Sequence, residues 1–106
     1  MYKRKHFISA GNSKSKVLFT INELEEKIIY NIALGFGNRV IGLTLHLSVR
    51  TIENHVEELL DKVFPRLKKD DPNRSRLQLV SWALENKILC LVNGVYSLVS
   101  PSDQAS

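Results

Sequence analysis

One amphipathic stretch in the middle of the chain constrains the fold more than any other feature of the sequence. Between Ser48 and Pro65, apolar side chains recur at the three- and four-residue spacing that puts them on one face of a helix; they are Val49, Ile52, Val56, Leu59, Leu60 and Val63. Ser48 is a favoured N-cap residue, and Pro65 cannot continue a helix because it lacks a backbone N–H. The pattern predicts a helix over about 49–63 with one buried face.

An earlier helix is marked at both of its ends. Asn22 followed three residues later by Glu25 is a capping-box pair with Asn as the cap. Helical apolar spacing follows, and Gly35 is a typical left-handed stop. These signals predict a helix over about 23–34.

A short helix is predicted between these two. It opens at Gly37 and Asn38, with Ile41 and Leu45 as its inner residues, and a tight turn at 46–47 separates it from the long helix. A short helix, a tight turn and a longer helix with a polar outer face form the helix-turn-helix pattern.

The chain after the long helix predicts a loop and then a fourth helix. Residues 65–74 have no apolar period and read as a loop. Ser75 and Gln78 form a second capping-box pair, and Asn86 is expected to end the helix. Apolar residues that share one helical face lie between these ends: Leu79, Val80, Ala83 and Leu84. Trp82 fits either the core or a dimer contact, and the interface is favoured because those residues already supply an inner face.

The last element is a predicted β-hairpin. Two apolar runs, 88–92 and 95–99, flank Asn93-Gly94, which tolerates the positive φ of a type I′ turn. A two-residue turn pairs Val92 with Val95, and further along it pairs Leu91 with Tyr96 and Leu89 with Leu98. A lone hairpin is marginal in water, so this one should pack on the helices or on a second copy.

Two runs of the sequence carry a family resemblance. Residues 32–42 (Ile-Ala-Leu-Gly-Phe-Gly-Asn-Arg-Val-Ile-Gly) and 45–56 (Leu-His-Leu-Ser-Val-Arg-Thr-Ile-Glu-Asn-His-Val) resemble the LuxR-type (GerE-like) DNA-binding domain, which is also the output module of many response regulators. The later Arg-x-x-Leu-Val-x-x-Ala-Leu pattern begins at Arg76. The Ser-x-x-Thr-Ile-x-x-His core, from Ser48 to His55, is the most specific part of the match.

The resemblance implies a mainly α fold: a four-helix bundle of the LuxR type, here with a C-terminal β-hairpin. It also implies that the third helix enters the major groove of double-stranded DNA and that the fourth often dimerises. Its positions, taken with the polar outer face of the third helix, give nine candidate DNA-binding residues. Those expected at the DNA backbone or at the helix start are Asn38, Arg39, Ser48, Arg50, Thr51 and Lys62, and those expected to face bases are Glu53, Asn54 and Glu57.

The chain departs from that family in charge and in length. The family usually carries Lys where this chain has Glu53, and the third helix holds two basic and four acidic residues, a net charge of −2. An acidic surface opposes phosphate contact, although Glu can accept from the cytosine amino group. Gly37 and Gly42 replace the usual Ser and Ala, which weakens a cap and raises the backbone entropy cost of the second helix. About eight extra residues precede the fourth helix.

These departures leave other functions open. The acidic face and the apolar hairpin would suit a protein-interaction module that binds a basic partner, such as another regulator or a polymerase, without reading DNA. A winged helix would bring the hairpin to DNA, but the fourth helix intervenes and the hairpin is apolar. The sequence shows no nucleophile or acid–base pair, so an enzyme is not expected.

Composition is typical of a small intracellular domain. The 106 residues suit one core, and no segment reads as a signal peptide or a membrane span, so a cytoplasmic location is expected. A single cysteine, Cys90, fits a reducing compartment. The three histidines and Cys90 lack metal-ligand spacing, and neither a metal nor a cofactor is expected.

The net charge of +4 is concentrated at the N-terminus. Residues 1–18 hold five basic and no acidic side chains, so the other 88 residues carry a net charge of −1. We therefore divide the chain into a flexible basic arm (1–18), a helix-turn-helix domain (19–87), a hairpin extension (88–100) and a tail (101–106). The arm and the basic loop before the fourth helix are the segments expected to seek phosphate. The expected assembly is a homodimer through the Trp82-containing helix, the hairpin 88–99, or both.

Overall fold

Four helices and two antiparallel hairpins make up the part of the chain that the structure, a computed structural model, describes: residues 3–9 and 16–99. In chain order the elements are β1 Lys3–Ser9, β2 Lys16–Asn22, α1 Glu23–Ala33, α2 Asn38–Leu45, α3 Val49–Val63, α4 Arg76–Glu85, β3 Leu89–Val92 and β4 Val95–Leu98. The fold is mainly helical, as the sequence predicts.

The helix ends lie where the capping residues predict them. Asn22 accepts from the backbone N–H of Glu25 and donates its own N–H to that side chain, which completes the capping box. Ser48 and Ser75 each accept from the backbone N–H three residues on. Gly35 has a φ of +89°, the left-handed conformation expected of the residue after α1.

The C-terminal hairpin has the predicted register. Leu89 pairs with Leu98, Leu91 with Tyr96 and Val92 with Val95, and both turn residues have positive φ. β3 packs against α4, and β4 packs against α1. The hairpin therefore packs on the helices, which is one of the two expected arrangements.

The N-terminal segment contains two strands where a flexible arm was expected. β1 and β2 pair antiparallel from Lys3 opposite Asn22 to Ser9 opposite Lys16. The basic composition of residues 1–18 hid a short run of strongly β-forming residues that begins at Val17. β2 leads directly into α1, because Asn22 is the last residue of the strand and the N-cap of the helix. The tail 101–106 and part of the arm lie outside the described residues.

A single apolar core joins the helices to both hairpins. Its fully buried side chains are Ile21, Ile28, Ile29, Ile41, Ile52, Leu59, Leu79, Ile88 and Leu89. Burial of one such side chain contributes about 1.5–3 kcal/mol. Ile21 brings the end of β2 into this core, and Leu89 brings in the C-terminal hairpin.

The structure corrects the placement of Trp82. The side chain was expected at an exposed dimer interface, but Trp82 is only 9% exposed and belongs to the core. The reason is that α4 lies between α1 and β3, so that more than one of its faces is covered. Dimerisation through other parts of α4 or through the hairpin stays a prediction.

Candidate nucleic-acid interface

The connection between α2 and α3 is a tight turn built around Gly42. His46 ends α2 in the left-handed conformation with a φ of 61°, and its N–H donates to the Gly42 carbonyl. The N–H of Leu47 donates to the same oxygen at 2.8 Å. A Cβ atom on Gly42 would lie 2.6 Å from the Leu47 carbonyl oxygen, closer than van der Waals contact permits. Glycine, which the sequence suggests is only an entropic disadvantage here, is thus what allows the turn to close.

The start of α3 is fixed by its cap. The Ser48 hydroxyl accepts from the Thr51 backbone N–H at 3.1 Å, and the two hydroxyl oxygens lie 2.8 Å apart. Both residues are in the candidate DNA-binding set, and both side chains already hold the first turn of α3. In the structure, these two side chains therefore stabilise the start of α3 and fix its orientation.

Beyond the cap, the N-terminal half of α3 presents an open outer face. Arg50, Glu53 and Asn54 are exposed, and they have no side-chain hydrogen bond or ion pair to the described part of the chain. Arg39 on α2 is also exposed and equally uncommitted. Four of the nine candidate residues can thus meet a ligand without breaking an internal contact.

The C-terminal half of α3 is different, because its acids are paired with the following loop. Nη2 of Arg74 lies 2.5 Å from Asp61 Oδ1 and 3.3 Å from Glu57 Oε1. Lys69 approaches Glu57 more loosely, at 3.9 Å. Glu57 is therefore not a free base-reading side chain but one member of an ion-pair network.

The Arg74 side chain is almost entirely shielded from solvent, unlike its two partners. Its side chain is 3% exposed, whereas those of Glu57 and Asp61 are 51% and 63% exposed. Burial disfavours the charged form of Arg74, but hydrogen bonds and charge attraction from the two carboxylates outweigh it, and the pKa of the guanidinium is raised. The cation thus reaches the carboxylates from the protein side, while the carboxylates face outward.

Lys62 lies in the last turn of α3 and connects this helix to α1. Its ammonium is 2.7 Å from Oε2 of Glu25, a residue that is 5% exposed. Glu25 uses its other oxygen in the α1 capping box. Lys62 was expected to reach phosphate, but here it joins two helices.

Asn38, at the start of α2, is engaged by α4. Its Oδ1 accepts from Nη1 of Arg76 at 2.5 Å, and Nη2 of Arg76 donates to the Phe36 carbonyl at 2.9 Å. Burial lowers the pKa of Arg76. Asn38 thus connects α2 to α4 through its Oδ1, and a contact to a DNA phosphate would be donated by its Nδ2.

The sequence of the chain matches the model of one protein family. The model of DUF5932, a family of unknown function, covers residues 2–97, nearly the whole chain. The chain belongs to the DUF5932 family. No curated protein and no solved structure shows significant similarity to it. The DUF5932 match includes the first hairpin and all four helices, and it ends one residue before the last residue of β4.

Across residues 3–9 and 16–99 there is no group of three side chains suited to hold a metal ion. Within that same portion, no helix is long and apolar enough to cross a membrane. The expected cytoplasmic location stays a prediction.

Sequence reasoning missed the two residues that most shape this DUF5932 surface. Gly42 was seen as a departure from a familiar pattern, and only the backbone geometry shows the close approach that requires it. Arg74 was one of several cations in the loop. A buried cation could have been suspected from the two acids one helical turn apart, Glu57 and Asp61, but not assigned to Arg74 among its neighbours.

Proposed function

We propose that this domain binds double-stranded DNA as a transcriptional regulator, with α3 in the major groove. The observation that carries the proposal is the α2–turn–α3 unit, in which a short helix braces a 15-residue helix whose outer N-terminal face is uncommitted. A helix-turn-helix reads bases with the N-terminal residues of its second helix, which is the part left open here. The LuxR-type resemblance and its four-helix bundle support the same docking.

The open residues divide by chemistry into two roles. Arg39 and Arg50 are cations that suit phosphate, and such contacts fix position without reading sequence. Asn54 can make a bidentate contact to adenine, and Glu53 can accept from the amino group of cytosine. Specificity then rests on the two residues that face bases, and affinity rests on the two arginines.

The negative charge of α3 is the main objection to this proposal, and the structure weakens it. Two of its four acids, Glu57 and Asp61, lie against the buried cation Arg74. With the described ion-pair partners of the helix counted (Arg74 and Lys69, each +1, and Glu25, −1), the net charge changes from −2 to −1. The remaining repulsion is small enough for phosphate contacts elsewhere to offset.

The same ion pairs give the alternative function less support. A module that bound a basic protein partner, such as another regulator or a polymerase, through acidic α3 would need those carboxylates available. Glu57 and Asp61 are already bound to Arg74, so the acidic surface available to such a partner is reduced. Reversing Glu53 to Lys separates the two functions, because it should strengthen DNA binding and weaken binding of a basic partner.

A homodimer is the proposed assembly, with the C-terminal hairpin as its interface. β3, β4 and their turn contain no charged residue, and Leu91, Val92 and Val95 are more than half exposed at the end of the hairpin. An uncharged apolar surface meets its own copy without charge repulsion. The hairpin packs on α1 and α4, so a dimer through it would leave the outer face of α3 open to DNA.

Titration of fluorescent duplex DNA with the full chain tests the proposal. At low salt we expect binding to a random-sequence pool, with an affinity that falls as salt rises. Arg39→Ala and Arg50→Ala should weaken binding to all sequences, and Asn54→Ala should change which sequences are selected from the pool. Lys27→Ala, at an exposed position of α1, is the matched control and should bind like the wild type. Absence of any binding at low salt would refute the proposal.

A further inference from the structure

The Arg74 network has a geometry that stability alone does not explain. Glu57 and Asp61 are four residues apart, so both carboxylates lie on one side of α3. One nitrogen of Arg74 bonds both of them from beneath. A buried ion pair is weak support for stability, because the desolvation penalty offsets much of the attraction and an apolar side chain often replaces it without loss.

What the ion pairs change is the charge of the outer surface. Both carboxylates are more than half exposed, on the helix that the proposed function places in the groove. Unpaired, they would face phosphate directly, and like charges brought together at an interface oppose binding. A single nitrogen of Arg74 reaches both carboxylates, and a guanidinium stays charged in this covered position.

We infer that Arg74 is a positioning residue that neutralises Glu57 and Asp61 from the protein side, so that the C-terminal half of α3 can approach the phosphate backbone of DNA. This inference rests on the proposed DNA-binding function. Arg74 itself is too deeply buried to contact DNA, so it acts through the two acids.

The same contacts also fix the orientation of Glu57. Arg74 and Lys69 both approach Oε1, and Oε2 takes part in neither contact. Arg74 thereby affects both the charge and the orientation of Glu57.

A charge-matched pair of variants tests the inference in the full-length chain. Arg74→Gln removes the cation and should lower affinity for random-sequence duplex DNA at low salt by about tenfold or more. The double variant Arg74→Gln/Asp61→Asn has the same net charge as the wild type. It should recover most of the lost affinity, although the ion pairs are absent. Arg74→Lys keeps the charge, and since one nitrogen of Arg74 makes both contacts, this variant should bind more like the wild type than like Arg74→Gln.

Circular dichroism and thermal unfolding are measured on every variant, so that only folded protein is compared. Lys27→Gln, which breaks the exposed pair with Glu23 on α1, controls for loss of a cation away from α3. If folded Arg74→Gln binds like the wild type, or if Asp61→Asn restores nothing, the inference is wrong. If Arg74→Gln does not fold, the double variant and Arg74→Lys decide: wild-type-like binding by the double variant supports neutralisation, and weak binding by both refutes it. Failure of the wild type to bind would refute the proposed function, and this inference with it.

Discussion

The two halves of α3 share one buried face but have opposite outer faces. Along the inner side, Ile52 and Leu59 are equally buried in the core. On the outer side, Arg50, Glu53 and Asn54 have no internal partners. Further along, Glu57 and Asp61 are bound by Arg74. One helix thus has an N-terminal half available for recognition and a C-terminal half built into the surrounding structure.

Under the proposed function, this difference explains how an acidic helix enters the major groove of DNA. A helix-turn-helix inserts the first turns of its second helix most deeply, and these are the turns that carry no internal ion pair. The later turns carry most of the acids, and there the loop before α4 supplies compensating charge. In the proposed function, the loop before α4 therefore serves to neutralise Glu57 and Asp61 through Arg74.

The largest expected loss of stability tests whether the two halves of α3 are equally buried on their inner side. Ile52→Ala and Leu59→Ala should each lower the free energy of unfolding by about 2–5 kcal/mol, because each leaves a cavity in the same core. Urea denaturation measures both. A large loss for one variant and almost none for the other would show that the halves do not share one core.

The next effect concerns the turn that aims the N-terminal half. Gly42→Ala should lower the free energy of unfolding by about 1–3 kcal/mol, because the new Cβ would meet the Leu47 carbonyl. Gly37→Ser is the matched control: its Cβ meets nothing within 4 Å, and its hydroxyl can cap α2. Thermal unfolding should show the two glycine variants moving in opposite directions, and a stable Gly42→Ala would contradict the close approach.

A smaller effect is expected at the cap of α3. Ser48→Ala should lower the free energy of unfolding by about 0.5–2 kcal/mol, since the backbone N–H of Thr51 loses its acceptor. Ser48→Thr keeps an acceptor and should lose less. Equal losses in chemical denaturation would mean that the hydroxyl does not hold the helix start.

The smallest effect on stability, but a clear one on binding, is expected at Glu53. Glu53→Lys should change the free energy of unfolding by less than about 0.5 kcal/mol, because the exposed side chain has no partner. It should tighten DNA binding and steepen its salt dependence, because a cation replaces an anion beside the DNA. Titrations at several salt concentrations measure both, and an unchanged affinity and slope would place Glu53 outside the DNA interface.

Much of the local structure could be predicted, because it depends on local chemistry. Asn22, Ser48 and Ser75 mark helix starts through side-chain capping, and Asn93-Gly94 fixes the hairpin register through its turn type. What could not be predicted depends on which elements meet. Trp82 is buried because α4 is covered by both α1 and β3, a tertiary fact that helical periodicity does not contain.

The candidate site was predictable to a similar degree. The sequence identified α3 and its outer residues, but it could not tell that Lys62 bonds Glu25 or that Asn38 bonds Arg76, since each pair is separated by more than thirty residues. A long polar side chain has several possible partners within reach, and the tertiary packing determines which of them it binds. The sequence therefore identified the helix correctly, while the structure decides which of its side chains are free.

The most direct test of the account is a residue-by-residue map of DNA contact on the labelled protein. Amide chemical shifts from nitrogen-15 NMR are followed while a random-sequence duplex is added at low salt. The account predicts that the largest shifts fall on α2 near Arg39 and on α3 from Arg50 to Asn54, with little change at the hairpin turn around Gly94. Largest shifts at the hairpin, or no shifts on α3, would contradict the account.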